Sequence, residues 1–261
     1  MLPLIALPLK HARDAVLTQQ LSQLIVARYE QRPDADELDA VQCARRDAIS
    51  LDSSAATGRD LLFRWFHLLE MLELRFPDLK HTFAWTDAFS GAEVAQDTIA
   101  YEKASVAFNI AARLSEVAAA AAREDAPDAF RVSYTCLRQA AGMLNYVRDN
   151  FLHAPTHDMS ADAAKTLSAL LLAQASEVFV EKSLADAKGA ALVAKLAAHT
   201  AAAYAALAES AGDAGIPSLV TAVIRFKSAY FGALAQMHRA AADSAAGAYG
   251  AALTRLGLAV G

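Results

Sequence analysis

The chain has 261 residues, 55% of them hydrophobic, and only 11 glycines and 7 prolines. That is enough apolar content for a sizeable core, too little turn chemistry for an all-β fold, and too apolar for global disorder. A formal net charge of −5 excludes the overall basic field that unspecific nucleic-acid binding needs.

The opening MLPLIALPLKHA is apolar, but no basic stretch precedes it, and Pro3 and Pro8 interrupt it. It reads as an edge strand or extended arm rather than a signal peptide. Asp14 to Tyr29 places Leu17, Leu21, Leu24 and Ile25 on one helical face. Pro33 and the acidic run Asp34 to Asp39 end that helix and start a second, through about Ile49. Thr57 or Gly58 opens a third. Its wide apolar face carries Leu61, Leu62, Trp65, Phe66, Leu69 and Leu72, and Pro77 stops it. Phe83 to Phe89 alternates apolar and polar side chains, a short strand signal that can pair with the N-terminal arm. From Glu93 onward only helices are expected, over about 93–123, 127–153, 160–187, 188–211, 217–243 and 245–258. Much of the apolar content is alanine, a strong helix former whose small volume lets helix backbones approach closely. The fold class is therefore all-α, with αα-hairpins in a tetratricopeptide-like style and one small N-terminal β element. One domain, 1–261, is expected.

Catalytic and cofactor motifs are missing: there is no GxGxxG, P-loop, GxSxG or HExxH. No stretch reaches the roughly 20 uninterrupted apolar residues of a membrane span. Cys43 and Cys136 have no metal-ligand spacing and read as reduced thiols at or near the core. His153, His157 and Asp158 are the best metal candidates, but Pro155 breaks the helix between the histidines. The plainer reading is an exposed loop, with Asp158 or Ser160 capping the next helix. Glu102 and Lys103 are adjacent on a helix, so they do not face each other and should pair with other helices. Gln174 and Glu177 sit among apolar residues and suggest partly buried polar ties between helices. No catalytic residue, metal, cofactor or small-molecule substrate is expected. A helical enzyme would need a deep pocket where groups such as Glu102, Glu177 and His199 converge.

Several segments, in order, give the chain a family likeness: LLFRWFHLLEMLELRFP, FAWTDAF, YEKASVAFN, YTCLRQAAGMLNYV, HDMS, AQASEVF, ALVAKLA, RFKSAYFGALAQMHRA and AYGAALTRL. Together they resemble the Bro-one domain, the module shared by ALIX, fungal PalA and their relatives. The likeness runs nearly end to end, and YEKASVAFN is its most specific motif. It implies a curved, banana-like helical solenoid and a non-enzymatic adaptor. It also implies a domain shorter at its C-terminal end than is usual for the family.

By the same resemblance, the partner is the C-terminal amphipathic helix of an ESCRT-III subunit, held in a hydrophobic groove. Phe179 of AQASEVF and Leu192 and Leu196 of ALVAKLA take the groove positions, with Lys182 and Lys195 at the rim. Leu192 and Leu196 are four residues apart and stack on one helix face, which suits a helix-in-groove mode. Read from the sequence alone, all three apolar residues could equally be ordinary core. The setting implied is cytoplasmic with recruitment to endosomes, in sorting, membrane remodelling or PalA-like pH signalling. Membrane contact is expected to be weak at this net charge. A tyrosine phosphorylated in some members is replaced here by Met237, so that switch is not expected. The alternative is a tetratricopeptide-like scaffold for a different peptide, its groove lost; a charge or bulky polar group beside Leu192 would favour it.

Overall fold

The computed structural model describes residues 2–151, 153, 155–212 and 215–260. Leu152, at the end of the helix expected over 127–153, and Asp213 and Ala214, in the break expected before Pro217, lie outside the described residues. The elements, in order, are α1 (Thr18–Tyr29), α2 (Ala35–Ile49), α3 (Ala55–Arg75), β1 (Phe83–Thr86), β2 (Glu93–Gln96), α4 (Ile99–Ala121), α5 (Ala129–Asn150), a 3-10 turn (His157–Met159), α6 (Ala161–Ala185), α7 (Ala190–Ser210), α8 (Ser218–Ala245) and α9 (Tyr249–Val260). The chain is mostly helical with one small sheet, as its composition predicts.

One expectation fails at the sheet. Residues 93–96 are an antiparallel strand rather than the start of a helix: Phe83 faces Gln96 and Trp85 faces Val94. The intervening turn closes with Asp87 N–H donating to the Ala92 carbonyl (2.8 Å), and Gly91 supplies the positive φ of 71° that the turn requires. Helix α4 therefore begins only at Ile99.

The chain folds as two compact units. The hairpin unit comprises Ala6–Val117 and Gly142–Ala164. Within it the N-terminal arm pairs with β1: Arg13 N–H donates to the Ala84 carbonyl (3.0 Å) and Thr86 N–H to the His11 carbonyl (2.8 Å). Further back the arm is fastened to α4. Asn109 both accepts from Lys10 N–H (2.8 Å) and donates to its carbonyl (2.9 Å), and Ser115 Oγ accepts from Leu7 N–H (2.8 Å). The core beneath contains Trp65, Trp85, Phe83 and Phe108. Asp34 and Ser54 cap α2 and α3, each side chain accepting a first-turn N–H.

The alanine-rich unit comprises Met1–Ile5, Ala118–Ala141 and Lys165–Gly261. Small side chains let its helices tie backbone to hydroxyl: Ser133 Oγ donates to the Ala118 carbonyl (3.0 Å) and Ser228 Oγ to the Ala201 carbonyl (3.1 Å). Gln174 grips the arm rather than a helix, accepting from Ile5 N–H and donating to the Ile5 carbonyl (3.0 Å). Helices α6 and α7 have the length and hydropathy of a membrane span. In α6 most of that apolar surface is consumed by packing, and the helix also buries a carboxylate, Glu177.

Candidate functional site

The polar residues of YEKASVAFN are structural. Glu102 is wholly buried and accepts three hydrogen bonds: from Arg45 Nε (2.9 Å), Trp65 Nε1 (3.1 Å) and Trp85 Nε1 (2.6 Å). Lys103 meets Glu70 (2.5 Å) and Glu73 (2.7 Å) on α3. The two neighbours thus pair with other elements and not with each other: Glu102 with α2, α3 and β1, and Lys103 with α3. No oxygen of Glu102 is left open to a reactant.

The HDMS segment departs from the expected exposed loop. Asp158 is fully buried, ion-paired with Lys10, and accepts from Ala88 N–H (2.8 Å). Burial pushes the Lys10 ammonium pKa down, against the opposing pull of Asp158. Asp87 accepts from Asp158 N–H (3.0 Å), Ser90 N–H (2.8 Å) and Phe89 N–H (3.0 Å). Burial alone would raise its pKa; these donors outweigh it and hold the carboxyl at about 2. Ser160 caps α6, accepting from Ala163 N–H (3.2 Å). Cys136 is buried and Cys43 partly exposed, and neither is in a disulfide.

In the alanine-rich unit Glu177 is equally sealed. Lys227 Nζ lies 2.8 and 3.0 Å from its two oxygens, and Tyr204 donates its hydroxyl to one of them (2.5 Å). The Tyr204 ring stacks on Phe231, centroids 6.1 Å apart. Burial raises the Glu177 pKa and lowers that of Lys227, each resisted by the other's charge. This triad pins α6, α7 and α8 together and presents no reactive group. His199 is exposed on α7, whereas Glu177 is fully buried.

Helices α6 and α7 also present large apolar side chains. Between Lys165 and Val180, helix α6 is buried all round except for a strip at Lys165, Ala169, Leu172, Ser176 and Phe179, a spacing that keeps to one face. Phe179 is 50% exposed and Leu172 44%. On α7, Leu192 is 48% exposed and Leu196 partly so, while the next residue along from Leu192, Val193, is buried. These residues are therefore not ordinary core. Tyr134 of α5 lies beside Phe179, ring centroids 6.4 Å apart, and Arg138 covers the other ring partner, 5.6 Å from the Tyr134 centroid. Lys182 is exposed, pairs with Asp186 and lies 5.9 Å over the Phe130 ring. Lys195 is exposed on α7, on the side that meets α8 and α9.

Sequence reasoning missed Leu172, Tyr134 and Arg138 in this surface. The seven-residue spacing from Leu172 to Phe179 was the available signal, but in a helix apolar on every side it does not say which face stays open.

A profile of the BRO1-like domain family matches residues 4–261. The vacuolar protein-sorting protein BRO1 of Cryptococcus neoformans is 39% identical over 263 residues, which is 98% of this chain and 27% of that protein. Its Neurospora crassa counterpart is 38% identical over 269 residues, 99% of this chain and 26% of that protein. The chain thus spans about a quarter of the length of these curated relatives. Among solved structures, the ALIX BRO1 domain in complex with CHMP4C superimposes with a TM-score of 0.92 at 25% identity, covering 98% of this chain and 78% of that one. ALIX bound to a viral late-domain peptide gives 0.89 at 25% identity, covering 98% of this chain and 40% of that one. Sequence and fold agree over almost every residue, and the chain belongs to the BRO1-like domain family.

Proposed function

We propose that this chain is a non-enzymatic docking module that takes the C-terminal amphipathic helix of an ESCRT-III subunit on the exposed apolar face of α6 and α7. Phe179, Leu192 and Leu196 form the contact, and Lys182 and Lys195 border it. The observation that carries the reading is the half-exposure of Phe179 and Leu192 on helices whose other large apolar side chains are mostly buried. An amphipathic helix offers apolar side chains at the same three- and four-residue spacing. Two likenesses support the reading: relatives are vacuolar protein-sorting proteins, and the ALIX BRO1 domain is solved in complex with CHMP4C. The module acts by positioning a partner, in the cytoplasm and on recruitment to endosomes, within sorting, membrane remodelling or PalA-like pH signalling. At a net charge of −5, contact with acidic membranes is weak.

Fluorescence anisotropy of a labelled ESCRT-III C-terminal helix peptide tests this. Saturable binding is expected, with a loss of about 2 kcal/mol or more in Leu196→Asp and Leu192→Asp. Circular dichroism must show both variants folded. Undiminished binding by the folded variants would refute the site.

A further inference from the structure

On the side of α7 facing α8 and α9 there is a cleft of about 200 Å³. Its apolar lining is only alanine, Ala194, Ala198 and Ala235, while Lys195, Arg239 and Arg255 stand around it. The two arginines share one carboxylate. Asp243 lies 2.6 Å from Arg255 Nε and 3.4 Å from Arg239 Nε. Arg255 is further held by Gln236 Oε1 (3.2 Å). Lys195 has no ion-pair partner among the described residues, and Arg239, about half exposed, keeps most of its donor fork unused. Three cations to one acid make a local positive excess in a chain whose net charge is −5. Small side chains on the floor leave room for a planar anion to reach the guanidinium edge-on.

Lys195 links this cleft to the apolar strip: it lies three residues after Leu192 and directly before Leu196. A helix resting its leucines on that strip turns one flank toward the cleft. We infer that the cleft is an anion subsite for an acidic side chain on that flank of the partner helix, and that it sets the partner's orientation and register on α7. The inference rests on the docking reading above and assigns its electrostatic half: the apolar strip supplies adhesion, and the cleft discriminates between the two flanks of an amphipathic helix.

The test uses three versions of the helix peptide: native, one with the acidic residues of one flank changed to amides, and one with the other flank so changed. Each is titrated against the wild-type chain, Arg239→Gln and Leu192→Asp. The expected result is that one amide peptide, and not the other, binds wild type about fivefold more weakly. Arg239→Gln should erase that preference while still binding, and added salt should shrink it. Equal binding of all three peptides to wild type, or an unchanged preference in folded Arg239→Gln, overturns the inference even if Leu192→Asp abolishes binding. Binding that survives Leu192→Asp instead overturns the docking reading.

Discussion

The hairpin unit and the alanine-rich unit each bury a carboxylate among a cation and aromatic rings, but they surround it differently. In the hairpin unit, Glu102 satisfies Arg45 and two tryptophan N–H groups, and the N-terminal arm is stitched along α4 and β1. Four separate segments therefore depend on one polar network. In the alanine-rich unit, Glu177 meets one lysine and one tyrosine, and three helices depend on it. Large apolar side chains are displayed chiefly in this second unit: Leu172 and Phe179 on α6, Leu192 on α7, and Phe226, Leu253 and Leu258 on α8 and α9. That contrast favours the alanine-rich unit as the proposed docking face. One unit uses its characteristic motif to close itself, whereas the other leaves apolar residues of its own motifs, Phe179 and Leu192, exposed.

Disrupting each network should expose the asymmetry. Glu102→Ala strands a wholly buried Arg45 and two indole donors, and should cost about 3–5 kcal/mol in urea unfolding. Glu177→Gln keeps the acceptor for Tyr204 but leaves Lys227 without its counter-charge, at a cost of about 3 kcal/mol. Adding Lys227→Met should recover most of that loss. An equivalent Arg45→Met added to Glu102→Ala should not, because the tryptophan donors stay unpaired.

A smaller effect belongs to the hairpin turn. Asp87 has a pKa of about 2, below the ordinary aspartate value of about 3.9. Its contribution to stability is therefore complete above that ordinary value and is lost as pH falls from there toward about 2. Asp87→Asn should flatten this acid limb when unfolding is followed against pH. The smallest expected change is on α7. Leu192→Asp, at a half-exposed position, should shift stability by no more than about 0.5 kcal/mol. Val193→Asp, one residue on, should unfold the unit by burying an unpaired charge. Equal damage from both would mean Leu192 is core.

The sequence revealed most where signals were local. Residues that cap, break or stripe a helix placed α1 to α9 to within about four positions, apart from the start of α4, and YEKASVAFN marked the fold through side chains whose partners lie in neighbouring elements. β2 was not legible because Glu93, Ala95 and Gln96 favour helices, and it is pairing with Phe83–Thr86 that holds them extended. Asp158 was misjudged as exposed because its partner, Lys10, is 148 residues away in the chain. The proposed docking surface was legible only through resemblance. In α6 apolar residues occupy every face, so periodicity says nothing about which face packing leaves uncovered, and the open strip emerges only once the neighbouring helices are in place.

In the proposed mode the partner helix lies on α6 and α7 and not on the other displayed apolar face. Photo-crosslinking tests it most directly, with a photoreactive residue replacing a central leucine of the ESCRT-III helix peptide and mass spectrometry locating the adducts. Adducts between residues 172 and 199, lost in Leu192→Asp, are the predicted result. Adducts confined to α8 and α9, around Phe226, Leu253 and Leu258, would contradict the account.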